Sequence, residues 1–169
     1  DSLSAWETSW CHQLQLEGHH YKCMAQSTRF AVEWEFPPDL QPFDGHHEVV
    51  YWLGSNDAHF WYHQDEDGNY PMQDEFLVTF LNHMQFLRDK GYNTVLVLPP
   101  TNPVRDTSGV RYVIQLYYAV AVSYYGRTDL KLIDPDDYDY YNNTIDGLHA
   151  SPEWQYMFKD IIHQTVESF

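Results

Sequence analysis

Positive charge is what this sequence has least of. Only 9 residues are Lys or Arg, against 25 Asp or Glu, for a formal net charge of −16. Phosphate-backbone binding is carried mainly by Lys and Arg, so nucleic acid is not an expected partner. An anionic membrane surface is disfavoured for the same reason. Long apolar runs are also absent. Nothing approaches the roughly eighteen apolar residues of a membrane-spanning helix. The N-terminal Asp1-Ser2-Leu3-Ser4 has no basic segment followed by an apolar one, so no signal peptide is expected in this chain, although one removed earlier is compatible with it. The two cysteines, Cys11 and Cys23, are too few for a disulfide framework and wrongly spaced for a zinc knuckle. They are free to pair if the chain is secreted, and Asn142-Asn143-Thr144 is a glycosylation sequon. No internal repeat or low-complexity tract occurs.

What is abundant is aromatic. Phe, Trp and Tyr make up 17% of the chain and hydrophobic residues 43%, a composition that excludes disorder. Residues 1–169 are the length of one domain. Such a length buries about 70% of its unfolded surface, enough for a full core without staples. The one-signed surface is read as a solvating face. A high-salt setting that screens the repulsion and attraction of a cationic substrate are the other readings.

Two hydrophobic periods alternate along the chain. Ala5 to Leu16 reads as a short amphipathic helix stopped by Gly18, and His20 to Ala25 as a short strand. Glu48 to Leu53 is an apolar run before Gly54, the pattern of a buried strand. Asp74 to Lys90 has helical spacing closed by Gly91, and Thr94 to Leu98 is a β-branched strand ended by Pro99-Pro100. Tyr112 to Tyr125 reads as a helix, Leu130 to Ile133 as a strand and Pro152 to Val166 as the last helix, with Ser151 as its N-cap. Buried strands alternating with helices predict a parallel sheet covered on both faces. In such sheets, sites form beyond the carboxyl ends of the strands.

The loops at those ends carry a coherent set. Asp1-Ser2-Leu3-Ser4 precedes the first helix, and Ala25-Gln26-Ser27-Thr28-Arg29 follows the His20 segment. Gly54-Ser55-Asn56-Asp57 follows the Glu48 strand, and Asp146-Gly147-Leu148-His149 lies after the Leu130 strand. A serine hydroxyl needs an imidazole to take its proton, and the imidazole needs a carboxylate to fix its tautomer. A tetrahedral oxyanion needs donors such as an Asn amide and backbone N–H groups. Asp146 precedes His149 by three residues in a tight turn containing Gly147, a spacing that can bring the carboxylate to His149 Nδ1 while Nε2 faces outward.

At this point the sequence resembles the SGNH hydrolases, the GDSL-type esterases and lipases. Asp1-Ser2-Leu3 resembles the family's first block without its leading glycine. Gly54-Ser55-Asn56-Asp57 resembles the third block, and Asp146-Gly147-Leu148-His149 the last. The blocks occur in family order across the whole chain. The resemblance implies Ser2 as nucleophile, His149 as general base and then acid, and Asp146 as its orienting carboxylate. It implies an oxyanion hole of Asn56, the Ser2 N–H and a backbone donor from the second block. It also implies a flavodoxin-like three-layer α/β/α sandwich, with no metal and no organic cofactor.

Two departures accompany it. Ser27-Thr28-Arg29 places Thr28 where the family has glycine, which preserves a backbone donor only if the local φ suits a β-branched residue. The family's nucleophile follows a central strand, and that first strand has no counterpart in these residues. Either residues precede Asp1 or another segment fills the place.

Trp61, Tyr62, Tyr138, Tyr140 and Tyr141 follow two of the strands. They are read either as loop packing or as a wall for an acyl chain or sugar ring, with Trp61, Tyr62 and Tyr138 the binding candidates. His59 and His63 stand four apart, as a helical zinc pair would, but the acidic stretch after them reads as loop. Adjacent His19-His20 and His46-His47 diverge too much to share an ion. The expected function is a serine esterase acting through an acyl-enzyme on short acyl esters or acylated carbohydrate. A weakened hydrolase-like binding module and a sugar O-acyltransferase are the alternatives.

Overall fold

The computed structural model describes residues 9–24 and 29–169. Ser2 and Thr28 therefore lie outside the described residues. Three strands, β1 (Glu48–Tyr51), β2 (Asn93–Val97) and β3 (Leu130–Ile133), form a parallel sheet in that order. Its register aligns Val50 with Val95 and Leu96 with Leu132. Among the described residues four helices accompany it: α1 (Trp10–Leu16), α2 (Pro71–Asp89), α3 (Ser108–Ala119) and α4 (Pro152–Glu167).

Side-chain alternation along the strands builds two cores. Leu96 and Leu98 join Tyr51, Phe76, Phe80, Met84, Val110 and Ile114, so α2 and α3 cover one face. Val95 and Val97 join Trp10, Leu14, Trp52, Trp154, Phe158 and Ile162, so α1 and α4 cover the other. Phe76, Phe80 and Phe158 are fully buried, and truncating such a residue to Ala typically costs about 3–5 kcal/mol. Between α2 and β1, His83 Nδ1 meets the Tyr51 hydroxyl at 2.9 Å while Nε2 lies 2.8 Å from the Trp34 carbonyl. That pattern fits a neutral imidazole donating through Nε2, and burial pushes the His83 pKa below its ordinary value.

Several boundaries differ from expectation. The helix expected over Ala5–Leu16 is described over Trp10–Leu16. His20–Met24 forms no strand among the described residues. Side chains hold this segment instead: the Tyr21 hydroxyl meets His163 Nδ1 at 3.1 Å, and a disulfide joins Cys23 to Cys11 on α1. Helix α2 starts at Pro71, with proline in its first turn. Helix α3 starts four residues before Tyr112, at Ser108, and passes into a π-helical segment, Val120–Tyr124. In the first turn of α3, the Trp61 indole lies against the backbone of Gly109. A Cβ there would stand 1.9 Å from Trp61 Nε1, so only glycine lets helix and indole approach. Helix α4 begins as expected, with Ser151 Oγ accepting the Trp154 N–H at 3.2 Å. No described helix is long and apolar enough to cross a membrane.

Candidate active site

The carboxyl ends of all three strands open into one loop cluster. After β3 the chain makes two short 3₁₀ turns, Pro135–Tyr138 and Tyr140–Asn143, and then the Asp146–His149 turn. His149 Nδ1 lies 2.6 Å from Asp146 Oδ2. The other carboxylate oxygen accepts the backbone N–H groups of Leu148 and His149 at 2.9 and 2.7 Å. Slight burial would raise the Asp146 carboxyl, but the His149 ring and these two amides hold it down at about 2. Gly147 adopts φ of 79°, and a Cβ there would press within 3.1 Å of Pro103. Both the conformation and the space demand glycine. The turn's base is closed by the Thr144–Ala150 bridge, and the Tyr140 hydroxyl donates to the Leu148 carbonyl at 2.6 Å. The Asp-x-x-His spacing thus delivers a carboxylate-oriented imidazole.

After β1, Gly54 takes φ of 105°, and a Cβ would collide with Val110 Cγ1 at 2.8 Å. The chain then enters a 3₁₀ turn, Asp57–Phe60, with Asn56 preceding it. Asn56 is 9% exposed. Its Nδ2 donates to the Arg29 carbonyl at 2.8 Å, and its Oδ1 accepts from Arg105 at 2.7 Å. The amide carries two hydrogens, and Arg29 takes one of them. Asp57 is fully buried and accepts the N–H groups of Ala31 and Val32 at 2.7 and 3.2 Å. Burial raises its carboxyl above the ordinary range, opposed by those amides. Asn56 and Asp57 therefore anchor the segment that leaves the second block.

The loop after β2 joins the two halves. Arg105 donates to the Ser55 carbonyl at 3.2 Å as well as to Asn56, and burial lowers its pKa from the ordinary guanidinium value. Asn102 Oδ1 accepts the Val104 and Arg105 N–H groups at 3.1 and 2.8 Å, shaping the loop. Pro103 and Val104 of the same loop lie beside Gly147. Arg111 on α3 pairs with Asp134 at 2.6 Å and Asp136 at 3.1 Å, tying the loop's far side to β3.

The candidate wall divides. Trp61 is 5% exposed and belongs to the core against Phe76. Tyr138 is half-buried, its ring 5.6 Å from Phe158. Tyr62 is 55% exposed, near Ser108. His59 and His63 are exposed on the turn after Asn56 with ring centroids 6.2 Å apart. Among the described residues no three His, Cys, Asp or Glu side chains gather in a cluster suited to a metal ion.

Sequence reasoning gave no role to Asp57 or Arg105. Arg105 sits in a Pro- and Asn-containing loop directly after a strand, which was a signal to weigh it, since cations are scarce here. Comparison with protein-family models, curated proteins and solved structures finds no match.

Proposed function

We propose that the protein is a serine esterase of the SGNH type, with a flavodoxin-like three-layer sandwich as its fold. Ser2 attacks the ester carbonyl while His149 takes its proton, and Asp146 holds the imidazole tautomer and stabilises the imidazolium. His149 then returns the proton to the leaving alcohol, and water releases the acyl group by the reverse roles. Asn56 donates to the oxyanion, aided by backbone N–H groups of the first two blocks. The observation that carries this reading is the Asp146–His149 pair at 2.6 Å, with the carboxylate fixed by two amides. Arg105 bridges that side of the cluster to Asn56 through its own loop. The disulfide between Cys11 and Cys23 suits an oxidising compartment.

One observation favours a second reading, a hydrolase-like binding module. Asn56 Nδ2 is engaged with the Arg29 carbonyl, and a donor held there is less available to an oxyanion. Turnover of a p-nitrophenyl ester panel separates the two. Esterase activity that falls by about 10⁴-fold or more in Ser2→Ala, with the fold intact by circular dichroism, supports the enzyme. A folded wild-type protein that hydrolyses none of the panel, or a Ser2→Ala variant retaining a tenth of the rate, overturns it.

A further inference from the structure

α2 and α3 cover one face of the sheet, and their own outer surface departs from the charge pattern of the chain. The sequence carries 25 Asp or Glu among 169 residues. None lies between Glu75 and Asp89 on α2. None lies between Asp106 and Asp129, a span that holds all of α3 and the π-helical segment after it. The cations of that span are paired within the chain. Arg111 meets Asp134 and Asp136, and Arg127 meets Asp129 while donating to the Tyr117 hydroxyl at 2.7 Å. Among the described residues, charge returns at the ends of this layer, at Glu75 and Arg88, and its middle is uncharged.

That middle is apolar as well. Tyr112, Leu116, Val120 and Tyr124 recur every four residues, a stripe along α3 and its π-helical extension. All four are exposed, Tyr112 at 65% and Tyr124 at 80%. Leu77 and Leu81 form a second exposed row on α2. The two rows border one furrow. A Cβ at Gly54 would touch both Val110 and Phe76, which sets the helices level, and the Phe80 and Tyr117 rings meet at 5.2 Å where they approach. At about 100° per residue, Leu77 and Leu81 lie one step round from Phe76 and Phe80, on the flank away from Phe86, whose ring stacks on Phe36. Leu116 and Val120 lie on the flank of α3 away from Arg111, which faces Asp134. With Val78 and Tyr125 at its margins, the patch exposes on the order of 800 Å², taking about 150–250 Å² for an aromatic side chain. The largest apolar patch of a monomer is typically about 300–600 Å², whereas each partner of a standard interface contributes about 800 Å².

We infer that the α2/α3 face joins two copies of this chain in a two-fold dimer. Charge selects the occupant. Two chains of net charge −16 repel each other, so they approach best where neither carries charge. A two-fold contact sets a patch against itself. A patch of one sign cannot meet itself without repulsion, and an uncharged apolar one can. A cationic partner finds its carboxylates elsewhere on the chain and none in this patch. Tyr112 and Tyr124 suit the role, since aromatic side chains are enriched in interface cores. The inference stands on exposure, helix placement and the gap in charge, independently of the catalytic reading.

Sedimentation equilibrium of the protein from about 1 to 100 μM, in about 0.05 M and 0.5 M NaCl, tests it. The expected result is a dimer that tightens by about tenfold or more at the higher salt, because the repulsion between the remaining carboxylates is screened. Leu116→Glu should weaken the dimer more than about 100-fold with the circular dichroism unchanged, since the two-fold axis sets like charges together. Leu81→Glu on the facing row should do the same, so the result does not hang on one variant's folding. Leu16→Ser, at an exposed leucine on α1 across the sheet, should leave the dimer constant unchanged. A monomer throughout the concentration range in both salts overturns the inference. So does a dimer that loosens with salt, one that both folded glutamate variants leave intact, or one that Leu16→Ser weakens as much. Flotation of a monomer with phosphatidylcholine vesicles, lost in Leu116→Glu, overturns it too and assigns the face to a lipid surface.

Discussion

The two halves of the candidate site are built in opposite ways. The His149 half is local: Asp146, Gly147, Leu148 and His149 make the carboxylate–imidazole contact and both amide contacts within four residues. The Asn56 half is woven from distant chain. Asn56 binds Arg29 and Arg105, 27 and 49 residues away, and Asp57 binds Ala31 and Val32. The local half needs only a glycine at positive φ and a short turn. The woven half needs the tertiary fold first, and its strand, β1, lies at the edge of the described sheet. A local constellation preorganises itself, whereas a distributed one is only as precise as the elements that carry it.

The sharpest way to break this contrast is at its functional centre. Asn56→Ala is expected to lower kcat by about 10²–10³-fold with little change in KM, the behaviour of a donor used mainly in the transition state. A pure KM effect in steady-state kinetics would make Asn56 a substrate-binding residue instead. Arg105→Met should act through Asn56 rather than on its own. Losing the donor to Asn56 Oδ1 lets the amide rotate, and a displacement of about 1 Å costs up to about 100-fold. The double variant should then fall no further than Asn56→Ala alone, and additive losses would place Arg105 on the substrate.

The fold was legible where hydrophobic period and punctuation agreed. β3 falls at its expected residues, and α4 starts at Pro152 behind its Ser151 cap, because a β-branched or apolar run and a Ser-Pro-Glu signal are local. The early start of α3 was not legible, since Gly109 in its first turn is there to admit the Trp61 ring from another part of the fold. The same close approach takes Trp61, read in sequence either as loop packing or as a binding wall, into the core. Asp57 and Arg105 were hidden because their partners are 25 or more residues away. His20 to Ala25 read as a strand, but its described part, His20–Met24, is held by a disulfide and a tyrosine rather than by a ladder.

Smaller effects sharpen the comparison on the stability side. Asp57→Ala strands two backbone N–H groups, and a lost buried acceptor costs about 1–3 kcal/mol. Urea unfolding should show that loss with an unchanged m-value. An unchanged midpoint would mean that Ala31 and Val32 find other partners. Asp146 gives the smallest effect. Its folded pKa of about 2 lies below the unfolded carboxylate value of about 3.9. Its contribution is therefore full above the unfolded value and is lost as pH falls toward 2. Acid unfolding of Asp146→Asn should be less steep than wild type across that window, and identical curves would show that the pair adds nothing to stability because it is half-exposed.

Labelling with a fluorophosphonate, read by peptide mass spectrometry, tests the central claim most directly. Modification is expected at Ser2 and at no other serine. Loss of labelling is expected in His149→Ala, because the hydroxyl then has no base. Label on another serine, no label on the folded wild-type protein, or full labelling of His149→Ala would contradict it.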